Sequence, residues 1–484
     1  MPIFSFVVLA IIAFIFIHSQ NMHRRYIELL LLYVVLDTAW IRGAFITSLE
    51  SSDLSFARVV MVVFTMYSIY YAWKVRVHIP RAVLLAAFIY TCVLLMGGMA
   101  EIIMPYRGDV LISGNWDSYI LGQDAKSMMP DIDIAKFIKS MAKAMMFVID
   151  VCIFKAVYRD GDLLYVLKRW LQISVILVAY GYAEYLMKNV FGMADTATSL
   201  MDTIFGISNF TGNAYLVERE GKYTVYGFST EASAFCIVLY LIAIASLIYN
   251  KIRQTAMRHG KHIGYAVFPG YTFVVLFLMT LTMGMSYVVC LGIIVLVYFA
   301  MKLDLYNFNK KGMCIFFGGI LLVVLAGWGA LEWYIAYGDG FTAERLYLSM
   351  NVIQNFLDGN TYIAKFDSTL PRFLSIIDGF FTFLDRPLFG VGLGVMPLLH
   401  DSTVAMLASI GILGFLSWSW IALSRPYTWK RYDIVTFVLF VVIAGIPVGL
   451  GNIVYMFSLV FIMETTSLYA SHTEGSLEVS SWTK

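Results

Sequence analysis

Apolar runs of about 20 residues recur along almost the whole of this chain, and a helix of that length spans the hydrocarbon core of a bilayer. Of its 484 residues, 60% are hydrophobic and 14% charged, whereas a soluble domain of this size carries about 25% charged residues. None of the runs alternates as a barrel strand does, and lipid cannot satisfy open backbone groups, so each is read as a helix. The expected fold is all-α: a polytopic integral membrane helix bundle of about 12–13 transmembrane helices with a large helical periplasmic loop. The helices are expected near 3–18, 26–42, 55–73, 82–104, 134–155, 169–189, 232–250, 265–282, 285–302, 313–335, 401–424, 433–447 and 453–470. They form one bundle domain over 1–470, followed by a polar tail over 471–484.

The placement of the basic residues gives the orientation. They cluster in alternate connections: His23-Arg24-Arg25, Lys74/Arg76/Arg81, Lys155/Arg159/Lys168/Arg169, Lys251/Arg253/Arg258/Lys261, Lys302/Lys310/Lys311 and Arg425/Lys430/Arg431. Basic loops mark the cytoplasmic side. The amino terminus and the loops 43–54, 105–133, 191–231 and 336–400 are then expected outside, with the tail in the cytoplasm. The segment Ile3 to Ile17 has no basic leader before it and no small-x-small site after it, so it is expected to be a retained span. The five cysteines are scattered among the spans without a CxxC pair, which indicates neither a disulfide framework nor a zinc site.

Charges stand where hydrocarbon makes them costly. Lys136, Lys139 and Lys143 open the fifth span on one helix face, and Asp150 continues that stripe seven residues on. Snorkelling accounts for Lys136, but like charges three and four apart repel, and a charge in the membrane centre costs about 2.5–3.5 kcal/mol. The stripe is therefore read as lining a water-filled cavity that attracts anions. Arg42, Arg58 and Lys188 read as interfacial anchors, and Asp37, Glu184 and Glu464 as acids paired inside the bundle.

The longest interruption, Tyr337 to His400, holds Arg345, Lys365, Arg372 and Arg386. Residues 371–385 read as an amphipathic helix begun by Pro371, with Arg372, Ser375, Gly379, Thr382 and Arg386 along its polar stripe. Gly390, Gly392 and Gly394 permit close backbone approach to another group, a phosphate among the candidates. His400 precedes Asp401, which would orient the imidazole, and Glu231 stands at a helix start, where the dipole favours a carboxylate. Guanidinium groups bind phosphate oxygens in pairs. A lipid with a pyrophosphate head, handled on the outer face, fits this set.

The stretches Arg372-Phe373-Leu374-Ser375, Asp385-Arg386-Pro387-Leu388-Phe389-Gly390-Val391-Gly392, and His400 followed by Gly411-Ile412-Leu413-Gly414 resemble the O-antigen polymerase/ligase family of bacterial polysaccharide assembly, which includes the Wzy-type polymerases. Gly227-Phe228-Ser229-Thr230-Glu231-Ala232-Ser233 is similar to that family's G-F-x-x-E-P-S, with Ala232 in place of proline. The resemblance implies polymerisation of undecaprenyl-pyrophosphate-linked repeat units into O-antigen or exopolysaccharide at the outer face of a bacterial inner membrane. It implies catalytic roles for His400, Glu231 and Arg372, and pyrophosphate binding by Arg345, Arg372, Arg386, Lys136, Lys139 and Lys143. It calls for no cofactor, metal or nucleic acid. The partners it implies are the lipid-linked glycan, membrane lipid, a chain-length regulator and a flippase. An O-antigen ligase is the alternative within the enzyme class, and a lipid-linked sugar transporter the alternative outside it. A transporter should carry its charges near mid-membrane between repeats, and this chain shows no internal repeat.

Overall fold

In a computed structural model, the described residues are 2–19, 21–39, 55–106, 134–159, 161–205, 218–219, 221–229, 232–258, 262–282, 286–302, 379–393 and 402–423, with isolated positions between 318 and 347. The helices are α1 (Ile3–His18), α2 (Met22–Thr38), α3 (Phe56–Val75), α4 (Arg81–Ile103), α5 (Ile134–Val157), α6 (Asp162–Asn189), α7 (Ala194–Phe205), α8 (Ala232–Arg258), α9 (Tyr271–Leu281), α10 (Ser286–Lys302) and α11 (Ser402–Leu423). A hairpin of two-residue strands, β1 (Glu218–Arg219) and β2 (Lys222–Tyr223), pairs antiparallel before α8. Among the described residues, five helices are long and apolar enough to cross a membrane: α3, α4, α6, α8 and α11. The chain is an all-α polytopic membrane helix bundle, as its apolar runs require.

Local chemistry sets several helix starts. The Asn21 side chain accepts from His23 N, and the Ser55 side chain accepts from Arg58 N, each satisfying a first-turn amide. Gly161 (φ 99°) and Gly270 (φ 88°) turn the chain into α6 and α9 through left-handed backbone that side chains resist. Several sequence boundaries move. Helix α6 begins at Asp162 rather than near 169, so Lys168 and Arg169 lie on a helix and not in a loop. Helix α8 runs to Arg258, which places Lys251, Arg253 and Arg258 on its last turns. Helix α7 lies inside a stretch read as loop, because its twelve residues are too short and too polar to register as a span.

Internal packing divides the chain into two compact units. One takes in Met1–His78 and Ile153–Tyr306, the other Ile79–Cys152 and Asn307–Ile453, with Val454–Lys484 grouped with the first. At the centre of the first unit is α8, whose residues from Leu239 to Ala245 are fully buried. That buried stretch is apolar on every face, and α6, α9 and α10 all pack against α8. Hydrogen bonds also join α6 to α9: Ser174 Oγ lies 2.8 Å from the Tyr271 hydroxyl, and the Tyr182 hydroxyl donates to Val274 O at 2.7 Å. At one end of this unit, His23 Nε2 lies 2.9 Å from Asp162 Oδ2 and His23 Nδ1 lies 3.0 Å from the Tyr71 hydroxyl, tying α2, α3 and α6 together. At the other end, Phe4 of α1 meets Phe56 of α3 and Phe205 of α7, each at 4.9 Å between ring centroids.

In the second unit, α4 packs along α11, and Gly414 lies against Val93. The α5 side chains follow the same pair: Phe137 fills the space over Gly98, Met145 meets Thr91, and Phe147 stacks on Trp418. Residues 379–385 are helical, agreeing with the end of the amphipathic helix read from 371. Residues 371–378 lie outside the described residues.

Candidate functional site

The second unit holds a loop inside a broken helix. Gly411 has φ 62° and ψ −174°, so α11 cannot continue its hydrogen bonding through that residue. In an unbroken helix, Ile412 N would donate to Ala408 O and Leu413 N to Ser409 O. Here Ile412 N donates to Pro387 O at 2.7 Å and Leu413 N to Leu388 O at 3.3 Å. The two freed carbonyls are taken up as well: Val391 N donates to Ala408 O and Gly392 N to Ser409 O, both at 2.9 Å. Residues 387–392 thus replace two interior helix hydrogen bonds with four of their own. The two amides and two carbonyls freed at the break are thus paired rather than left open, where each would cost several kcal/mol.

This inset explains the glycines. A Cβ on Gly390 would fall 2.4 Å from Ser409 C, and one on Gly411 would fall 2.4 Å from Leu388 O. Gly392 (φ 94°) lies against Gly97 of α4, where a Cβ would stand 3.2 Å from Gly97 O. The close approach expected at Gly390 and Gly392 is made to the backbones of α11 and α4. Gly394 lies outside the described residues.

A ring of polar contacts fastens the loop where it leaves the helical segment. Arg386 Nη1 donates to Glu101 Oε2 at 3.0 Å and Nη2 to Met104 O at 2.6 Å, while its guanidinium carbon lies 5.4 Å from the centre of the Tyr106 ring. Tyr106 N donates to Glu101 Oε1 at 2.8 Å, and the Tyr106 hydroxyl donates to Asp385 Oδ2 at 2.7 Å. Burial, with the bond to Asp385 adding to it, pushes the Tyr106 hydroxyl up to about 12. Arg386 was expected to bind pyrophosphate. Two of its nitrogens face a buried carboxylate and a carbonyl, an arrangement that holds the loop to the end of α4.

The first unit holds the second motif-bearing loop. Glu184 accepts from Gly227 N at 2.7 Å and Tyr226 N at 3.2 Å, and lies 2.6 Å from Lys188 Nζ. Lys188 Nζ donates to Thr224 O at 3.4 Å and sits 4.8 Å from the centre of the Tyr226 ring. One residue further along, Asn189 accepts from Tyr223 N at 2.7 Å and donates to Tyr223 O at 2.9 Å. The last turn and a half of α6 thereby holds residues 223–227. Gly227 (φ 56°) packs where a Cβ would fall 2.3 Å from the Phe235 ring, and Phe228 stacks on Tyr180 at 4.4 Å. Ser229 is fully buried, and its hydroxyl has no hydrogen-bond partner among the described residues.

Glu184 pairs inside the bundle as its sequence position implies. Lys188 does not act as an interfacial anchor; it is buried as the partner of that same acid. Lys136, Lys139 and Lys143 all lie on α5, with Lys139 exposed, Lys143 half-buried and Asp150 buried. Arg345, Arg372, His400 and Glu231 lie outside the described residues. Sequence reasoning missed Glu101, Tyr106 and Asn189. A signal existed for Glu101 alone: it is the one acid in the otherwise apolar run from Val83 to Ile103.

The class that fold and site define is a polytopic α-helical membrane protein in which charge pairs hold two loops in place, one of them built into a broken helix. No protein-family model, curated protein or solved structure matches the chain.

Proposed function

We propose that this protein is a membrane glycosyltransferase that joins undecaprenyl-pyrophosphate-linked oligosaccharide repeat units into O-antigen or exopolysaccharide. The reaction would take place at the outer face of a bacterial inner membrane. One observation carries the reading. The segments on which the family resemblance rests, 226–233 and 372–414, contain two irregular stretches of backbone that ion pairs hold in place. Irregular backbone at the ends of membrane helices is tolerated where it is enclosed by protein or lines a polar cavity. A site built on such loops keeps its geometry.

In the proposed reaction, a hydroxyl at the non-reducing end of the incoming unit attacks the anomeric carbon of the growing chain. The carbon–oxygen bond to the lipid pyrophosphate breaks, and the hydroxyl proton passes to a general base, His400 or Glu231. Charge develops on the departing pyrophosphate, and a single well-placed donor to such charge is worth about 10²–10³ in rate. Arg372 and Arg345, together with the Lys136/Lys139/Lys143 face of α5, supply those donors. Arg386 has a different part: it fixes the loop that leads towards His400. A flippase would deliver the substrate and a chain-length regulator would limit the product.

The test is the glycan banding pattern of a strain lacking the protein and carrying it back as wild type, Arg372→Ala or His400→Ala. Single-unit bands in the null strain and in both variants are expected, with a full ladder restored by the wild type. A normal ladder from both variants would sink the site assignment. Complete loss of core-linked glycan in the null strain would replace polymerase with ligase.

A further inference from the structure

Helix α7 presents three different surfaces around its axis. At 100° per residue, Ala194, Ala197 and Phe205 fall in one sector. All three are buried, and the Phe205 ring lies 4.9 Å from Phe4 and 5.3 Å from Phe228. A second sector carries Asp195, Thr196, Ser199 and Thr203, all exposed. The third contains Leu200, 42% exposed, beside Ile204 and in line with the exposed Met193 just before the helix. A helix lying on a soluble surface needs two sectors, one buried and one wet. A third, apolar and uncovered, needs a third medium.

The neighbouring chain says what that medium is. The span Leu164–Asn189 ends four residues before α7 begins, so α7 starts at the boundary that this span reaches. Exposed Leu186, Val190 and Phe191, the last at 65%, continue the apolar outer surface of α6 directly to Met193 and Leu200. The uncovered sector of α7 thus follows closely along the chain on exposed apolar residues at the end of a candidate membrane span. Its polar residues are hydroxyls and acids, and the helix contains no lysine or arginine. Interfacial helices that bind anionic lipid carry basic residues on that face.

We propose that α7 is an in-plane helix of the membrane interface. Leu200 and Met193 sit in the acyl-chain boundary of neutral or zwitterionic lipid, and the Ser199 and Thr203 side faces water. The contact between Phe205 and Phe228 then fixes the loop Tyr226–Ser229 at headgroup depth. This does not depend on the glycosyltransferase reading, and its test needs no activity.

Leu200→Cys and Ser199→Cys would each be labelled with an environment-sensitive maleimide in the full-length chain, with the unsubstituted chain as the labelling background. Both positions are exposed, so neither change empties a packed site. Each protein would be reconstituted into phosphatidylcholine vesicles and quenched either by doxyl-labelled phosphatidylcholine or by aqueous iodide. The probe at 200 is expected to lose fluorescence to the lipid quencher and to be shielded from iodide, with the reverse at 199. Adding phosphatidylglycerol is expected to change neither. Equal iodide quenching at both positions would overturn the in-plane placement. Lipid quenching at 200 that appears only with phosphatidylglycerol would overturn the neutral-lipid assignment.

Discussion

Arg386 Nη1 stands 3.0 Å from Glu101 Oε2, an ion pair that closes across 285 residues of chain. The carboxylate is 2% exposed and the guanidinium 25%. Removing the arginine strands a buried charge, a change that typically costs about 3–5 kcal/mol. Arg386→Ala is expected to lower the melting temperature of the detergent-purified protein, and Glu101→Gln/Arg386→Gln to lower it by less than the sum of the single changes. If Arg386 served only as a phosphate ligand, Arg386→Ala would leave the melting temperature unchanged and abolish transfer alone.

Tyr106 gives the same latch a pH signature. Its hydroxyl is pushed up to about 12, first by burial and then by the bond to Asp385. A tyrosine in an unfolded chain titrates near 10, so the folded state holds this proton more tightly. The resulting stabilisation is complete below pH ~10 and is lost as pH rises towards ~12, a change of about 2–3 kcal/mol. Tyr106→Phe cannot release that proton. Melting temperatures measured from pH 9 to 12 are expected to fall more steeply for wild type than for Tyr106→Phe. Parallel curves would remove Tyr106 from the account.

The break in α11 separates two kinds of glycine. An alanine at 411 would combine a φ and ψ that only glycine adopts readily with a Cβ 2.4 Å from Leu388 O. Gly192 and Gly221 also have positive φ, but a Cβ there meets nothing within 4 Å. Their alanine variants carry only the left-handed backbone cost of about 1–2 kcal/mol. Gly411→Ala and Gly390→Ala are expected to abolish recovery of monodisperse protein by size-exclusion chromatography, whereas Gly192→Ala is recovered nearly as wild type. Recovery of Gly411→Ala at the wild-type level would mean that the loop is not built into the helix.

The spans were legible because hydrocarbon allows a single solution to a long apolar run, and α3, α4, α6, α8 and α11 follow from it. Helix α7 was not, since a short amphipathic segment resembles a polar loop until its neighbours are known. The glycine motif at 390–392 reads as backbone requiring freedom, whereas Gly411 enters the sequence reading only through the family resemblance. Nothing local to either stretch said that they serve one another, because the hydrogen bonds that join them are made between segments distant in sequence. The same holds for Arg386. A guanidinium near a glycine turn suits phosphate equally well until Glu101 is placed beside it. Lys188 taken alone reads as an interfacial anchor, although Glu184 stands four residues before it on the same helix, the spacing at which the two pair.

That pair gives the sharpest separation of stability from function. Lys188 and Glu184 are both buried, and Glu184 also accepts from Tyr226 N and Gly227 N. Lys188→Met leaves a buried carboxylate without its cation and is expected to cost about 3–5 kcal/mol. Adding Glu184→Gln removes the stranded charge but keeps an amide oxygen for Gly227 N, so the double variant should recover much of the lost stability. The neutral pair lacks the charge-assisted bonds that hold Tyr226 and Gly227, and bonds to a charged acceptor are roughly twice as strong as neutral ones. If the loop 226–229 belongs to the transfer site, the double variant should fold, as read by its melting temperature, and yet give a shortened glycan ladder. A stable double variant with a wild-type ladder would leave Glu184 and Lys188 a purely structural role and move the transfer site away from this loop.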